Sequence, residues 1–222
     1  MKEKNSYSRQ LTEEDIQELR HRAFIGGMWE EIGRLQYDFL IAQGLQSHHK
    51  LLDIGCGALR GGLHFIKFLQ RSGYFGIDIN QSLIEGAKHE VNLASLGVKK
   101  PTLLVNGKFE FSNFSTKFDF IIAQSVFTHL PINDIIRCLK EVKGVLKKNS
   151  TFYATSFLTP NDNYLENYKH EIGGIVTKFD SDPFHYNHKI LELISQSVGL
   201  KVIFIGDWKH PRNQQMLAFQ HI

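Results

Sequence analysis

Apolar positions recur along the chain with two different periods, and the order of these periods predicts the fold. In the first 47 residues the period is helical. Thr12, with Asp15 three residues later, predicts a helix N-terminus, and a second helix is predicted from Trp29 to Gln43 with Gly44 as its C-cap. The apolar positions of the first helix are Ile16, Leu19 and Ala23. Helices are therefore predicted before the first strand.

From Lys50 onward, short apolar runs alternate with amphipathic segments. The short runs are typical of buried strands and the segments between them of helices. Strands that alternate with helices indicate a parallel sheet covered on both faces. The predicted strands are KLLDIG, YFGIDI, TLLVN, FDFIIA, TFYATSF, KVIFIGDW and QQMLAFQ, and the predicted helices cover 59–71, 81–95, 132–147 and 187–198.

The last two predicted strands lie too close together for a helical crossover, because only the turn KHPRN separates them. They should form a hairpin, so one of them runs antiparallel to the other strands. The sequence thus predicts an α/β fold with a doubly wound, mostly parallel seven-stranded sheet, an antiparallel strand near the C-terminus, and N-terminal helices. The irregular stretch from Thr159 to Tyr186 is predicted to be a binding loop or a lid.

The composition is typical of a folded protein in water, with 42% hydrophobic residues, 22% charged residues and a net charge of +3. Several lysines fall on predicted helix faces, where they are solvated, so a nucleic-acid partner is not expected. The two cysteines are too few for a disulfide framework, which favours a reducing cytoplasm. The N-terminus is polar and the sequence contains no long apolar run, so neither export nor membrane insertion is expected.

The stretch LLDIGCGALRGG combines an acid, a glycine-rich turn and an arginine at the end of the first predicted strand. In open α/β sheets this turn is the usual cofactor site, and Gly55 and Gly57 would let a ligand approach the backbone. A turn whose glycines only relieve strain is the alternative. Asp53 and Asp78 favour a nucleoside with a positive end, because an acid at the turn would repel a pyrophosphate. Arg60 replaces the third glycine of the dinucleotide fingerprint, which disfavours a nicotinamide cofactor.

These segments resemble the class I S-adenosylmethionine-dependent methyltransferases. The first motif of that family, an apolar run followed by D/E-x-G-x-G, is present as LLDIGCG; the acid of the second strand is Asp78 in YFGIDIN; and FDFIIAQSVFTHL resembles the fourth-strand segment. The resemblance covers residues 48–222 and departs from the family at Leu59, where many members have a glycine, and at Asn106, where an acid often contacts the adenine. It implies a Rossmann-like fold with S-adenosyl-L-methionine as the cofactor.

The resemblance also implies roles for individual residues. Asp53 and the backbone of Gly55 and Gly57 would hold the methionine end of the cofactor, and Asp78 would hold the ribose hydroxyls. Arg60 would meet the methionine carboxylate or an acidic substrate, with a solvated arginine as the alternative. The other implied cofactor contacts are Ile79 packed on the adenine, Asn106 and Gly107 at the adenine edge, and Gln124 near the sulfonium.

His129, in THLP after the fourth strand, is the candidate catalytic base, because histidine suits proton transfer at neutral pH. Its alternative role is to order the loop before the next helix. The segment AQSVFTHL lacks the [N/D]PP[Y/F] motif that holds nitrogen acceptors in related enzymes, which favours oxygen or another small-molecule acceptor. His185 and His188, with Tyr186, would cover the substrate; their HxxH spacing has no third clustered ligand, so no metal site is predicted. His210 in the hairpin turn is predicted to cap the sheet.

The sequence therefore predicts a cytoplasmic enzyme that transfers a methyl group in line from S-adenosyl-L-methionine to a small-molecule acceptor, at oxygen. The alternatives are a methyltransferase acting on RNA or protein, and a non-catalytic S-adenosylmethionine-binding module. Residues 1–47 are predicted to be an N-terminal helical cap, and residues 48–222 the cofactor-binding domain. The cap would either pack on the sheet with Trp29 in the core, or close as a flap with Gly26 and Gly27 as its hinge.

Overall fold

The computed structural model describes residue 7 and residues 9–160, 162 and 164–222. Residues 1–6 and 8 of the predicted cap, and 161 and 163 of the predicted loop, lie outside the described residues. The chain forms two compact units, Met1–Lys108 and Phe109–Ile222.

The first unit contains the N-terminal helices and three parallel strands. The strands pair in the order β3, β2, β1, so β2 lies between the other two. The helices are α1 (Glu13–Gln17), α2 (Arg20–Phe24), α3 (Trp29–Ala42), α4 (Gly62–Phe68) and α5 (Gln81–Leu93), and the strands are β1 (Leu51–Ile54), β2 (Tyr74–Asp78) and β3 (Thr102–Val105).

The first helix begins where the sequence predicts, but it is shorter than predicted. The Asp15 amide donates to Thr12 Oγ1 at 3.1 Å and the Thr12 amide donates to Asp15 Oδ2 at 3.0 Å, which completes a capping box. The expected single helix is wrong, because Leu19 adopts a left-handed conformation with φ of 59° and separates α1 from α2.

Glu90 on α5 holds the second helix to the rest of the unit. His21 Nε2 lies 2.8 Å from Glu90 Oε1, and Arg22 donates to the same carboxylate from Nε at 2.6 Å and from Nη2 at 2.8 Å. Burial alone would raise the pKa of Glu90, but the hydrogen bonds from His21 and Arg22 outweigh it and lower the pKa to about 2. The buried charge is therefore compensated, and its contribution to stability is lost only as the pH falls from the usual glutamate range towards 2.

The second unit contains the strands of the C-terminal half. β4 is parallel to β5, whereas β10 is antiparallel to both β5 and β9. The short strand β8 adds to β5 in parallel, and β6 and β7 form a small antiparallel pair. The elements are β4 (Phe118–Ala123), α6 (Ile132–Val145), β5 (Leu146–Leu158), β6 (Tyr168–Lys169), β7 (Val176–Thr177), β8 (His185–Tyr186), α7 (His188–Ser197), β9 (Leu200–Asp207) and β10 (Gln215–His221).

The fold class predicted from the sequence is confirmed. All seven predicted strands are present, β9 and β10 form the expected hairpin, and β10 is the antiparallel strand near the C-terminus. β5 is longer than predicted because it begins directly after α6, at Leu146. Within the described part of the chain, no helix is both long and apolar enough to span a bilayer.

The predicted loop from Thr159 to Tyr186 has a buried polar interior. The Thr177 hydroxyl lies 3.0 Å from His170 Nε2 and 2.8 Å from His185 Nδ1, and His185 Nε2 lies 2.8 Å from the carbonyl oxygen of Tyr164. His185 is fully buried, so the expectation that its side chain covers the substrate is wrong. Its hydrogen bonds hold the loop together instead.

Candidate functional site

The glycine-rich turn follows β1 directly and extends to Gly61, the residue before α4. Gly55 and Gly57 have φ values of 68° and 54°, a region that favours glycine, and the Gly55 backbone is exposed. Leu59 also has a positive φ, of 75°, which no helical residue adopts. The predicted helix start at residue 59 is therefore wrong, and α4 begins only at Gly62.

Asp53 lies at the inner end of the turn and is almost completely buried. The Tyr74 hydroxyl donates to its Oδ2 at 2.6 Å. Burial raises the pKa of Asp53 to about 7; the hydrogen bond from Tyr74 opposes the shift and the nearby charge of Asp78 adds to it. At neutral pH this carboxyl group is therefore poised to respond to a positive charge brought near it.

Asp78, at the end of β2, connects this strand to the glycine turn. Its Oδ2 accepts from the Gly57 amide at 2.9 Å, and its Oδ1 accepts from the Asn80 amide at 2.9 Å. Burial raises the pKa of Asp78, and the backbone hydrogen bonds oppose that shift. A carboxylate has about four acceptor positions, so Asp78 retains acceptor capacity for the hydroxyl groups of a ligand.

An exposed apolar surface adjoins Asp78. Ile79 is 65% exposed, and a Cβ atom at Gly107 would lie only 3.0 Å from Ile79 Cγ1. The Asn106 amide donates to the carbonyl oxygen of Asp78 at 2.9 Å, and Asn106 Oδ1 accepts from the Lys108 amide at 3.1 Å. The structure thus brings together the three residues predicted at the adenine.

Arg60 is buried, so the alternative of a solvated arginine is wrong. Its Nη1 donates to the carbonyl oxygens of Ile25 at 3.2 Å and Gly27 at 2.9 Å. A Cβ atom at Gly57 would lie 3.4 Å from Ile25 Cγ2. The segment between α2 and α3 therefore packs directly on the glycine turn.

Trp29 belongs to the same contact region. With Phe24 and Ile25 it packs against a small buried cluster of Leu11, Ala58 and Leu83. Gly26 and Gly27, the predicted hinge, have φ values of 93° and 64°. The N-terminal segment thus combines a packed aromatic side chain with two glycines in the left-handed region.

In the second unit, Gln124 belongs to a buried polar network at the end of β4. Its Nε2 donates to Ser125 Oγ at 2.6 Å and lies 3.1 Å from His210 Nε2. Gln214 Oε1 accepts from Ser125 Oγ at 2.8 Å and from Thr155 Oγ1 at 2.7 Å. Ser125 has a φ of 59°, so the network also holds a strained backbone position next to Gln124.

His129 lies in a short 3₁₀ turn after β4 and pairs with a carboxylate. Its Nδ1 is 2.6 Å from Asp182 Oδ1. The Phe184 amide donates to the Thr128 carbonyl oxygen at 2.7 Å, and the Tyr186 hydroxyl donates to that of Leu130 at 2.5 Å. The loop that carries Asp182 is thus fixed to the backbone on both sides of His129.

Comparison with known proteins identifies the family. Residues 45–197 match the family described as "Methyltransferase domain". The chain belongs to this family. It is 30% identical over 181 residues to cycloartenol-C-24-methyltransferase of Arabidopsis thaliana, a match that covers 80% of this chain and 52% of the plant protein. This methyltransferase-domain chain therefore spans about half the length of that curated relative.

Solved structures share the fold of this methyltransferase-domain chain. The CcbJ methyltransferase from Streptomyces caelestis has a TM-score of 0.69 at 13% identity, with 98% of both chains covered. Magnesium protoporphyrin IX methyltransferase from Synechocystis PCC 6803 with bound SAM has a TM-score of 0.64 at 12% identity, covering 98% of this chain and 88% of the other. The mitomycin 7-O-methyltransferase MmcR has a TM-score of 0.62 at 13% identity, covering 94% and 60%. The predicted Rossmann-like fold is confirmed.

Sequence reasoning missed two residues that contact candidate site residues of this methyltransferase-domain chain: Asn80, beside Asp78 in the first unit, and Asp182, beside His129 in the second. Asn80 accepts from the Ser82 amide as the N-cap of α5, and its Nδ2 donates at 2.8 Å to the carbonyl oxygens of both Tyr7 and Arg9. Its position one residue before a predicted helix was a usable capping signal. Asp182 had no such signal, because it lies 53 residues from His129 in the sequence.

Proposed function

We propose that this protein transfers a methyl group from S-adenosylmethionine to an oxygen atom of a small molecule. The observation that carries the proposal is the environment of Asp78. Its buried carboxylate accepts a hydrogen bond from the glycine turn, and the exposed side chain of Ile79 lies next to it. The names of several similar proteins, which act on cycloartenol, magnesium protoporphyrin IX and mitomycin, support a small-molecule acceptor.

The residues of the first unit fit the nucleoside part of the cofactor. The remaining acceptor capacity of Asp78 suits the ribose hydroxyls, whose hydrogen bonding would offset the cost of burying the charge. Ile79 offers an apolar surface for the face of the adenine. Gly107 keeps the space beside Ile79 open, because a side chain at position 107 would fill it. Asn106 and Gly107 would border the adenine edge.

Asp53 fits the positively charged methionine end. A sulfonium and an ammonium group near its carboxyl would favour the ionised form that burial disfavours. The exposed backbone of Gly55 lets the ligand approach closely. Gln124 is the further residue we assign to the cofactor, with its amide held by the network around His210 and Ser125.

We assign residues 1–47 to a cap over the cofactor, and residues 48–222 to the methyltransferase domain proper. The hydrogen bonds of Asn80 to Tyr7 and Arg9, and of Arg60 to Ile25 and Gly27, support this assignment. Such a cover would exclude water from the transfer.

His129 supports the choice of oxygen as the acceptor atom. Asp182 accepts the Nδ1 proton, which leaves the basic lone pair on Nε2. When bound, S-adenosylmethionine supplies the methyl group from its sulfonium and is left as the neutral thioether. His129 takes the proton of the acceptor hydroxyl as the new oxygen–carbon bond forms, and Asp182 stabilises the resulting imidazolium.

The cofactor assignment is tested first by thermal unfolding. Saturating S-adenosylmethionine or S-adenosylhomocysteine should raise the melting temperature by about 5–10 °C, because a ligand at about 100 times its Kd adds about 2.7 kcal/mol. NADH at the same concentration is the control and should have no effect. Stabilisation by NADH alone would contradict the proposal. Cofactor binding without turnover of any small molecule would instead favour a binding module or a macromolecular acceptor.

The role of Arg60 is tested by Arg60→Met. Loss of the two hydrogen bonds to the backbone carbonyl oxygens of Ile25 and Gly27 should lower the free energy of unfolding by about 2 kcal/mol, with less than about a fivefold change in affinity for S-adenosylhomocysteine. Arg34→Met is the matched control, since Arg34 is exposed and forms an ion pair with Asp38 along its own helix. Unchanged stability with a loss of affinity above about tenfold would place the methionine carboxylate on Arg60.

A further inference from the structure

Asp182 lies in the tip loop, which we define as residues 178–184, between β7 and β8. Backbone hydrogen bonds close this loop at its base. The Lys178 amide donates to the Pro183 carbonyl oxygen at 2.9 Å, and the His185 amide donates to the Lys178 carbonyl oxygen at 3.1 Å. The position of the Asp182 carboxylate therefore depends on what holds the base of the tip loop together.

A side-chain hydrogen bond joins the two residues that flank the tip loop. Thr177 ends β7 and His185 begins β8, and the Thr177 hydroxyl lies 2.8 Å from His185 Nδ1. Both residues are fully buried, so water does not compete for this bond. At the same end of the loop, the Phe184 amide donates to the Thr128 carbonyl oxygen at 2.7 Å. The base of the tip loop is thus fixed to the backbone directly before His129.

The protons of this buried cluster can be assigned from its acceptors. A carbonyl oxygen only accepts, so His185 Nε2, 2.8 Å from the Tyr164 carbonyl oxygen, carries a proton. In an uncharged imidazole Nδ1 is then bare, and it accepts the single hydroxyl proton of Thr177. The carbonyl oxygen of Tyr168 is a more distant acceptor for that proton, at 3.3 Å. The Thr177 oxygen in turn accepts from His170 Nε2 at 3.0 Å, so the hydrogen bonds run in one direction.

His170, the first donor of this chain, is kept uncharged by its surroundings. It is buried, and its ring centroid lies 4.7 Å from that of Phe157 and 5.0 Å from that of Tyr168. Burial lowers the pKa of His170 to about 4, with a smaller contribution from the neighbouring His185. The donors and acceptors of the cluster therefore keep one arrangement at neutral pH.

We propose that Thr177 and His185 are positioning residues, whose hydrogen bond closes the tip loop and thereby holds the Asp182 carboxylate against Nδ1 of His129. This inference rests on the proposed function, in which His129 is the base. The Thr177 hydroxyl acts as a donor and not only as a space-filling group, because without it His185 Nδ1 is buried with no partner. A tip loop that opens at its base moves Asp182 away, and His129 then loses the group that fixes its tautomer and ring orientation.

The Nδ1 proton of His129 reports the position of Asp182 without turnover. A proton held over 2.6 Å by a carboxylate should resonate downfield of ordinary imidazole protons in NMR spectra of the full chain, and His129→Gln assigns the signal by removing it. Thr177→Val should lose this signal, and Thr177→Ser, which keeps the hydroxyl, should retain it. Thr151→Val is the matched control, because it removes a hydroxyl that accepts from Gln220 at 2.9 Å and should leave the signal in place. A signal that survives in Thr177→Val, or that is lost in Thr177→Ser, would overturn the proposal.

Two replacements of His185 separate its hydrogen bond from the packing of its ring. Asparagine places an oxygen where Nδ1 accepts from Thr177, so His185→Asn should keep the His129 signal even though the bond to the Tyr164 carbonyl oxygen is lost. Glutamine keeps a donor near the position of Nε2 but has no acceptor at that of Nδ1, so His185→Gln should lose the signal, as Thr177→Val does. The same result in both variants, whether loss or retention, would refute the role of the hydrogen bond.

Turnover gives a second readout and separates this inference from the proposed function. With an acceptor hydroxyl that is un-ionised at the assay pH, Thr177→Val should lower kcat by about tenfold, and Thr177→Ser should restore most of it. Affinity for S-adenosylhomocysteine should stay within about threefold of the wild type in both variants. Wild-type kcat in Thr177→Val would overturn this inference alone. A wild-type protein that shows the His129 signal but methylates no acceptor would contradict the proposed function, while the signals of the variants still decide whether Thr177 and His185 position Asp182.

Discussion

Replacing Asp53 by asparagine should make the protein more stable above pH 7 while it weakens the binding of S-adenosylmethionine. The folded protein holds the Asp53 proton up to a pH of about 7, whereas an unfolded aspartate releases it near its usual value of about 3.9. Because the unfolded chain releases this proton first, Asp53 lowers the stability of the fold progressively as the pH rises from about 4 to 7, and the full cost is present above pH 7.

The size of the effect follows from the shift. About three pKa units correspond to as much as about 4 kcal/mol at pH 8, which Asp53→Asn should recover because asparagine still accepts from Tyr74. Chemical denaturation at pH 5 and pH 8 measures it, and the gain should appear mainly at pH 8. Asp38→Asn removes the same charge from an exposed side chain and should show no such gain.

The same substitution should weaken S-adenosylmethionine binding by at least about thirtyfold, since a buried charge facing a cation is lost. Wild-type binding should release a proton near neutral pH and weaken below pH 7, because the cation requires ionised Asp53. Calorimetry in buffers of different ionisation enthalpy detects that proton. Asp53→Asn protein that is less stable at pH 8, or that binds normally, would show that Asp53 neither carries the burial cost nor faces the cation.

The local features of the site were predictable because they depend on residues close together in the sequence. The run LLDI forms a fully buried strand, and Gly55 and Gly57 after it occupy the left-handed region. Asp78, Ile79 and Asn106 meet because the carboxyl ends of parallel strands lie at one edge of a sheet. Thr12 and Asp15 form their capping box within one turn.

The remaining features depend on tertiary contacts that no local pattern encodes. Leu19 interrupts a helical pattern of apolar residues. After this break, His21 and Arg22 both hydrogen-bond to Glu90, which is distant in the sequence. No local pattern in the sequence predicts that Arg60 is buried. In the structure it is buried and donates to backbone carbonyl oxygens more than 30 positions away. The partner of His129 lies in a long loop whose interior is formed by its own histidines and threonine.

Among substitutions of the candidate site residues, replacement of His129 should lower turnover the most. With an acceptor found by screening for cofactor consumption, His129→Gln should lower kcat by about 10²–10⁴-fold, because an un-ionised hydroxyl then loses its base. Affinity for S-adenosylhomocysteine should stay within about threefold of the wild type, since no cofactor role is assigned to His129. His48→Gln, an exposed histidine, is the control.

Asp182 should act through His129, and the choice of acceptor distinguishes this from a merely structural role. Asp182→Asn keeps an oxygen facing Nδ1 but removes the charge that stabilises the imidazolium, so kcat should fall by about tenfold or more. For an acceptor already ionised at the assay pH, no proton has to be removed, and both variants should approach wild-type turnover. If the losses were equal for ionised and un-ionised acceptors, the pair would only order the loop, because misplacement of a substrate slows both kinds of acceptor alike.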